Sequence, residues 1–432
     1  MGGAPLKRDS TSDLLRLLGA EVKALTDRLY YNDSFLHEFD ARVLSVTNAA
    51  GRTAIKLDRS AFYPASGGQS FDTGWLKFAE SDTAPLRVTE VAEDEQTGEV
   101  LHIIEGDGAG LQEGLAIHGA IDVERRRDHM QQHSGQHVLS AAFEKLYNFE
   151  TVSFHMGDES CTIDLATLSI KPEQMRAAER LSNEVVAEDQ AVEIRFATPE
   201  EARTMGVRKI PAAERERLRL IDISGFDLNA CGGTHVHRTG QIGAILLRKT
   251  EKVRQGTRVE FVCGLRALAT ARRDFETLTE AAALFSTHIY EVPRQIGKWQ
   301  DEMKAMLKAQ HRLLEELAEL QAERLLQTSV LRDGEWLVVQ YFADRDVTYL
   351  KLLAHKLVQS GHVLALLACG GAQPSLVFAQ TPGSNHDMGA LMKQTVQSLG
   401  TRGGGTRDMA QGGAPDATSA EKALEDAASA IG

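Results

Sequence analysis

The sequence reads His133-Ser134-Gly135-Gln136-His137 in one place and Cys231-Gly232-Gly233-Thr234-His235 in another, and these two segments decide how the chain is expected to fold around a metal. Side chains four residues apart in a helix project from the same face, so the two histidines of the first segment can bind one ion. The second segment adds a thiolate and an imidazole at the same spacing, with glycines that allow a tight turn. Either segment alone is a weak signal, but one cysteine and three histidines form a donor set suited to tetrahedral zinc. The pair predicts one Zn2+ per chain, bound by His133, His137, Cys231 and His235.

The local structure around both segments follows from their neighbours. Residues 124–146 place apolar and histidine positions close to a 3.6-residue repeat, which predicts a helix with the histidine face inward. Residues 218–223 and 241–247 are predicted strands, so the cysteine segment is expected on a glycine-rich loop between them.

Length and composition are those of an ordinary globular protein. The chain has 432 residues, of which 42% are hydrophobic and 25% charged. Since single cores seldom exceed roughly 250–300 residues, about two to four domains are expected. No apolar run reaches the roughly 20 residues that span a bilayer, and no secretory signal is evident, so we expect a cytoplasmic protein without a membrane partner. The four cysteines are too few for a disulfide framework, which favours Cys231 as a thiolate ligand.

The charge distribution is more informative than the net charge of −13. Basic residues cluster at 125–127, 203–219 and 248–258, and each cluster flanks a metal segment. Solvated faces on an acidic protein would explain any one cluster. Their shared position beside the predicted metal site favours an anionic substrate.

The pattern along the chain predicts an α+β multidomain protein. Residues 1–27 are read as an N-terminal extension, 28–122 as a small β-barrel, 123–264 as a zinc-binding α/β domain, 265–330 as a helical, coiled-coil-like linker, 331–413 as a C-terminal α/β domain, and 414–432 as a disordered tail. The predicted coiled-coil seam consists of Ile296, Trp299, Met303, Met306, Leu313, Leu317 and Leu320. On turn chemistry alone, the barrel segment 61–69 is read as a hairpin turn.

Several motifs together resemble a known family. Phe62-Tyr63-Pro64 with Gly67-Gly68-Gln69, the first histidine pair, Ser153-Phe154-His155-Met156-Gly157 and the cysteine segment stand in the order found in the editing half of alanyl-tRNA synthetase and in the AlaX alanyl-tRNA editing proteins. The stretch from Gly403 to Gly413 resembles the end of the DHHA1 domain of the synthetase and of the long AlaX form. The resemblance covers residues 28–413. It implies an editing domain at 123–264, a DHHA1-like domain at 331–413, and zinc-dependent hydrolysis of the aminoacyl ester of tRNA(Ala) that is mischarged with serine or glycine.

The sequence also lacks features that aminoacylation requires. Only roughly 35 residues precede the first predicted strand of the barrel, too few for an ATP-binding ligase domain. A Gly-x4-Gly-Lys-Ser/Thr phosphate loop is absent from the sequence. We therefore expect a protein that does not synthesise aminoacyl-tRNA.

The candidate catalytic residues are Ser153, Thr234, Gln69 and His155. The two hydroxyl groups are candidates for recognising the serine side chain, and the family places a hydroxyl near the position of Ser153. Gln69 is expected to reach in from the barrel, whereas His155 has no partner visible in the sequence. Four protein ligands are typical of structural zinc, and a catalytic zinc usually keeps one position open, so the role of the metal stays open here.

Two further predictions concern partners. Gly403, Gly404 and Gly405 are predicted to form a loop flanked by Arg402 and Arg407, which binds tRNA through guanidinium groups and backbone amides. A homodimer is expected through the helical linker or the C-terminal domain. Two alternatives remain: a non-catalytic tRNA-binding protein with a structural zinc, and a nucleotide phosphoesterase. The second is disfavoured because Asp128-His129 has no adjacent second histidine.

Overall fold

The computed structural model describes residues 26–49, 51–78, 84–94, 97–210, 216–254, 256–332 and 334–431. The chain divides into two compact units, one ending at Thr277 and the other beginning at Leu278. The predicted N-terminal extension lies outside the described residues up to position 25. Within the described ranges, every helix is too short or too polar to cross a membrane.

The first unit begins with a closed six-stranded barrel. The strands in this region are β1 (Asp27–Arg28), β2 (Glu38–Ala49), β3 (Arg52–Leu57), β4 (Arg59–Ser60), β5 (Gly74–Phe78), β6 (Leu86–Glu93), β7 (Val100–Ile104) and β8 (Ala116–Ile121). The barrel order is β2-β3-β7-β6-β5-β8, with antiparallel pairing throughout. Side chains on β2 alternate between exposed and buried, and Phe39 and Val43 point into the barrel core. The predicted barrel is confirmed.

The rest of the first unit surrounds one buried helix. Its elements are α1 (Val123–Tyr147), β9 (Thr151–Met156), β10 (Cys161–Leu165), α2 (Pro172–Ala187), β11 (Val192–Ala197), α3 (Pro199–Thr204), β12 (Leu218–Ile223), β13 (Asp227–Ala230), β14 (Ile245–Val253) and β15 (Gly256–Cys263). The strands form two antiparallel sheets, β14-β15-β10-β9 and β11-β12-β13. In α1, every residue from His129 to Phe143 is buried, so the helix is covered on all sides. Gly135 permits this packing, because a Cβ there would lie 2.3 Å from Cys263 Sγ.

One predicted strand is wrong in part. Residues 241–247 were expected to be extended, but Thr239–Ile242 form a 3-10 turn and β14 starts only at Ile245. Gly243 has a φ of +71°, which ends the turn in the left-handed region that glycine tolerates best. An apolar run alone does not reveal such a turn.

Two helices occupy the predicted helical segment. These are α4 (Gly264–Leu284) and α5 (Val292–Thr328), separated by a break that contains the 3-10 turn Ile289–Glu291. The long predicted helix is confirmed by α5. The predicted seam residues on α5 are exposed, whereas Ala318 and Ala322 on another side are buried in the core of the second unit.

A six-stranded mixed sheet organises the second unit. Its further elements are β16 (Val330–Arg332), β17 (Glu335–Phe342), α6 (Val347–Gln359), β18 (Val363–Cys369), β19 (Ser375–Gln380), α7 (Met388–Ser398), β20 (Gly403–Gly405), β21 (Met409–Gly413) and α8 (Ala417–Ile431). The strand order is β16-β17-β18-β19-β21-β20, and only β17 and β18 are parallel among the pairs described. Helices α5 and α6 pack on one face, and α7 and α8 on the other.

The C-terminal end differs from the sequence prediction. Residues 414–432 were expected to be disordered, but α8 is a helix that buries Ala420, Ala423, Leu424 and Ala427 against the sheet. Its first turn is capped by Asp416, which accepts a hydrogen bond from the Ser419 amide at 2.7 Å. Alanine is the best helix former, and here it recurs every three or four residues. The low-complexity composition concealed that periodicity.

Candidate metal centre and adjoining cavity

The four predicted ligands converge in the first unit. One donor atom each from His133, His137, Cys231 and His235 lies within 4.8 Å of every other. The Nε2 atoms of His133 and His235 are each 3.3 Å from Cys231 Sγ. Zinc–ligand bonds of about 2.1 and 2.3 Å at the tetrahedral angle require a nitrogen–sulfur separation of about 3.6 Å. The donors and their spacing therefore fit a zinc ion.

Two local features bring the segments together. Helix α1 presents His133 and His137 one turn apart, and their rings stack with centroids 5.4 Å apart. The cysteine segment follows β13 and approaches the helix closely at Gly233. A Cβ at that position would lie 2.0 Å from His133 Cε1, so only glycine fits there.

Each histidine also has a partner for its second ring nitrogen. His133 Nδ1 lies 2.6 Å from Gln69 Oε1, His137 Nδ1 lies 3.4 Å from Asp227 Oδ2, and His235 Nδ1 lies 3.2 Å from Ser134 Oγ. Such partners orient the imidazoles and leave Nε2 for a metal. Asp227 is itself held by Arg208, whose Nε donates to Oδ1 at 2.8 Å.

The electrostatics of the cluster favour a thiolate. Burial by itself would raise the pKa of Cys231, but the neighbouring imidazoles, with His133 the strongest, outweigh burial and hold this pKa well below its usual value. Burial likewise opposes protonation of His137, but the charge of Cys231 and the hydrogen bond to Asp227 raise its pKa to about 9. A thiolate is the form that binds zinc.

Two of the four predicted catalytic residues support the cluster from behind. Gln69 Oε1 accepts a hydrogen bond from the Thr234 amide at 3.0 Å, and Gln69 Nε2 donates to Thr234 Oγ1 at 2.8 Å. Both side chains are buried. Because these bonds and the contact with His133 use the polar groups of Gln69, this residue links the barrel to the ligand loop.

The turn that carries Gln69 is seated on β9. Gly68 has a φ of +82°, and a Cβ there would lie 2.4 Å from the backbone oxygen of Phe154. The carbonyl of Gly68 accepts a hydrogen bond from the Met156 amide at 3.0 Å. Gly68 therefore serves a close contact between the turn and β9 as well as the turn itself.

The other two predicted catalytic residues lie outside the cluster. Ser153 and His155 are exposed on one face of β9, and Ser153 Oγ donates to Asp164 Oδ2 at 2.8 Å. Phe154 between them points the opposite way, with its ring centroid 5.4 Å from that of His133. Alternation along a strand therefore turns the predicted serine sensor away from the metal site.

A cavity of about 870 Å³ adjoins His133 and Cys231, two of the four candidate metal donors. Its walls include Tyr30, Tyr31, Tyr63, Arg28, Arg217 and Arg219. The two last arginines belong to the basic cluster noted in the sequence, but their contact with the cavity was not predicted, and neither was any role for the tyrosines. In the sequence, no pattern distinguishes aromatic residues that line a cavity from aromatic residues that pack in a core. Nothing in the sequence indicated that three further residues support the clustered histidines, which are Ser134, Arg208 and Asp227.

Arg219 is the most buried of the cavity arginines Arg28, Arg217 and Arg219. Its Nε donates to the Tyr31 carbonyl at 2.9 Å, and its Nη1 donates to the carbonyls of Cys231 at 2.8 Å and Gly233 at 2.9 Å. Burial lowers its pKa from the usual value, against the opposing charge of Cys231. The arginine therefore fixes the backbone of the ligand loop beside the cavity.

The predicted tRNA-binding residues lie in the second unit. Gly403, Gly404 and Gly405 were expected in a loop but form edge strand β20, which pairs with β21. A Cβ on Gly405 would lie 2.3 Å from the Met409 carbonyl, so close pairing explains at least this glycine. Arg407 donates from Nε to the His386 carbonyl at 3.2 Å and remains exposed, as does Arg402.

Two parts of the chain match families of tRNA synthetase domains. The family described as threonyl and alanyl tRNA synthetase second additional domain matches residues 218–259, which include the cysteine segment. Class II (A) tRNA synthetases match residues 11–125, which include the barrel strands. The alanyl-tRNA editing protein AlaX-L of Pyrococcus horikoshii is 29% identical over 90% of this chain and 94% of its own length. The resemblance predicted from the motifs is confirmed.

Longer proteins show the same similarity. The alanine–tRNA ligases of Pyrococcus abyssi and Thermococcus kodakarensis are each 32% identical, over 93% and 95% of this chain. The chain covers 43% and 44% of these ligases, less than half of their length. A crystal structure of the C-Ala domain of Aquifex aeolicus alanyl-tRNA synthetase aligns with 24% of the chain at 20% identity, with a TM-score of 0.21 that is too low to assign a shared fold.

Proposed function

We propose that this protein is a trans-editing hydrolase that removes serine, or glycine, from mischarged tRNA(Ala). The observation that carries the proposal is the cluster of four metal donors beside a cavity with arginine and tyrosine walls. Similarity to an alanyl-tRNA editing protein over 90% of the chain supports the same activity. One Zn2+ per chain is held by His133, His137, Cys231 and His235.

The chemistry demands little covalent assistance from the protein. An aminoacyl ester is already activated, so hydrolysis needs a positioned water and an oriented 3′-terminal nucleotide rather than a protein nucleophile. Bound zinc supplies a Lewis acid that can polarise an oxygen ligand. Gln69 and Thr234 hold the ligand segment in position, and the buried Tyr30 and Tyr63 provide a cavity wall that excludes bulk water.

The remaining parts of the chain have supporting roles in this proposal. Arg402, Arg407 and the β20 edge of the second unit contribute affinity for tRNA, since exposed guanidinium groups bind phosphates. The exposed apolar seam on α5 is the surface through which two chains associate. Such a protein acts in the cytoplasm, where charged tRNA is found.

A non-catalytic tRNA-binding protein is the second candidate. The observation that favours it is the closed set of four protein donors, which is typical of structural zinc. Both candidates share the metal and the RNA partner, so they differ only in turnover.

The test is hydrolysis of seryl-, glycyl- and alanyl-tRNA(Ala) by the purified protein. We expect seryl-tRNA(Ala) to be hydrolysed much faster than alanyl-tRNA(Ala). The Cys231→Ala protein should be inactive, while Cys369→Ala, a buried free cysteine of the second unit, should retain activity. Tight binding of tRNA(Ala) without hydrolysis of any of the three esters would favour the second candidate.

A further inference from the structure

The described walls of the cavity beside the candidate metal centre include none of the four predicted catalytic residues. Ser153 and His155 are exposed on β9, whereas Gln69 and Thr234 are buried and hydrogen-bonded to each other. Hydrolysis of an ester places negative charge on the carbonyl oxygen, and enzymes stabilise that charge with hydrogen-bond donors held in position. A side-chain donor for this charge would have to come from other residues of the wall.

The hydroxyl group of Tyr31 lies on this wall, next to the ligand loop. Tyr31 is half-buried and lines the cavity together with Cys231 and Gly232. A Cβ placed on Gly232 would be 3.6 Å from the Tyr31 phenolic oxygen. The hydroxyl therefore stands beside the residue that follows the candidate metal donor Cys231.

The Tyr31 hydroxyl also keeps its proton for a ligand. Arg28 Nη1 donates a hydrogen bond to the Tyr31 oxygen at 3.1 Å. A guanidinium has donors and no acceptor, so the phenol accepts this bond and its own O–H remains available. The other two tyrosines of the wall differ, because Tyr63 donates to the Ser66 carbonyl at 3.0 Å and the Tyr30 oxygen is buried.

The position of this hydroxyl is fixed before any ligand binds. Arg28, which donates to it, is itself held by Glu93 Oε1 at 2.6 Å and by the Gly98 carbonyl at 2.9 Å. The guanidinium groups of Arg28 and Arg219 each lie 5.6 Å from the centroid of the Tyr31 ring. A donor that is already in place needs no reorganisation when charge develops on the substrate.

The charge near Tyr31 favours an anionic oxygen. The charge of Arg28 is compensated by Glu93, but the hydrogen bonds that Arg219 makes are all to neutral backbone carbonyls, those of Tyr31, Cys231 and Gly233. Arg219 therefore keeps a positive charge that no carboxylate compensates within these contacts. A hydrogen bond that a hydroxyl donates to an anion is stronger than one to a neutral oxygen.

We propose that Tyr31 is a catalytic residue that donates a hydrogen bond to the carbonyl oxygen of the aminoacyl ester as negative charge forms on it. The inference rests on the proposed function and deepens it, because it assigns a side chain that contacts the reacting atoms.

The reaction balances without covalent participation by Tyr31. The oxygen of water forms a bond to the ester carbon, and the electron pair of the C=O bond moves to the carbonyl oxygen, where Tyr31 donates. When the C=O bond re-forms, the bond from that carbon to the ribose oxygen breaks. The ribose oxygen takes up the proton that the water has lost, and Tyr31 keeps its own proton throughout.

The first test is steady-state hydrolysis of seryl-tRNA(Ala) by the full-length, zinc-loaded protein. Tyr31→Phe should lower kcat roughly a hundredfold to a thousandfold and change KM less than about threefold, because the donor acts on charge that exists only in the transition state. Tyr147→Phe, at a half-buried tyrosine outside the cavity wall, should leave both constants unchanged. Zinc content is measured for each protein and should not change.

The second test measures binding without turnover. The amide analogue of 3′-seryl-adenosine resembles the ester before attack, whereas the corresponding phosphonate carries a tetrahedral centre with an anionic oxygen. Tyr31→Phe should weaken phosphonate binding about tenfold to a hundredfold and leave amide binding unchanged, since the lost hydrogen bond is one to a charged group. Equal weakening for both analogues would show a merely structural role and overturn the inference.

Failure of this inference can be distinguished from failure of the proposed function. If the unmodified protein hydrolyses seryl-tRNA(Ala) and Tyr31→Phe keeps its kcat, the inference is overturned and the proposed function stands. A higher KM with an unchanged kcat in Tyr31→Phe would likewise overturn it. If the unmodified protein hydrolyses none of the aminoacyl esters, the proposed function is overturned, and the catalytic role of Tyr31 with it.

Discussion

The cysteine segment Cys231–His235 and the β9 segment Thr151–Met156 make an instructive comparison. Both carry motif residues, and both lie against helix α1. The cysteine segment delivers its two ligands to the histidines of α1, with donor atoms within 4.8 Å. On β9 the motif delivers Phe154 and turns Ser153 and His155 to the exposed face. The four-residue spacing of donor residues predicts which side chains can meet at one ion. A motif on a strand does not predict which of the two strand faces is functional.

The strongest challenge to the cysteine segment is removal of its thiolate. Cys231→Ala should reduce zinc from one ion per chain to nearly none and lower the melting temperature markedly, because metal-binding energy is coupled to folding. Zinc content by atomic absorption and a thermal melt check both effects. Cys369→Ala should keep its zinc, since that cysteine is buried in the β18 strand of the second unit. Stoichiometric zinc in Cys231→Ala would show that the cluster is not the metal site.

A smaller effect is expected behind the ligands. Gln69→Ala removes the partner of His133 Nδ1 and both bonds to Thr234, so zinc affinity should fall about tenfold to a hundredfold. Competition with a chromogenic chelator measures this change. Gln112→Ala, at an exposed position of the same unit, is the matched control. An unchanged zinc affinity in Gln69→Ala would show that Gln69 does not orient His133 for metal binding.

The two faces of β9 predict unequal effects from neighbouring substitutions. Phe154→Ala should lower the free energy of unfolding by about 2 kcal/mol, because the half-buried ring packs against His133 and the core. Ser153→Ala should change it by less than about 1 kcal/mol and leave deacylation nearly unchanged. Denaturant unfolding and the seryl-tRNA assay compare the pair. A larger loss of activity in Ser153→Ala than in Phe154→Ala would show that Ser153 takes part in the reaction.

Much of the candidate metal centre could be predicted because its signal is local. The four-residue spacings, the glycines and a cysteine without a disulfide partner point to the four donor residues that cluster in the structure. The cavity depends instead on where β12 and the residues before β2 meet the ligand loop, a contact set by tertiary packing. Arg219 is separated from Tyr31 by most of the first unit in sequence, yet donates to its carbonyl. No spacing rule relates those positions.

In the second unit, the predictions that followed the pattern of apolar residues succeeded better than those that followed composition alone. The apolar runs 336–341 and 363–368, within the segment 331–413 that was predicted to be α/β, lie in β17 and β18. The predictions of a loop at 403–405 and of disorder at 414–432 were wrong because they rested on composition and not on the spacing of residues along the chain. Glycine suits the close pairing of β20 with β21 as well as it suits a loop.

The smallest predicted effect concerns the exposed face of β9. The Arg258 guanidinium, against the opposing effect of burial and with help from Ser153, holds the pKa of Asp164 below its ordinary value. Because this pKa is depressed in the folded state, the carboxylate stabilises the protein above its unfolded pKa, and that contribution is lost as pH falls through the folded pKa. Ser153→Ala should therefore raise the pKa of Asp164 slightly, so that the carboxylate contributes less stability and its loss is complete at a higher pH. Carboxyl NMR titration measures it, with Arg258→Gln expected to give the larger rise and His155→Ala none. If Ser153→Ala leaves the titration of Asp164 unchanged, the serine hydroxyl does not hydrogen-bond this carboxylate in solution and is available to bind a ligand.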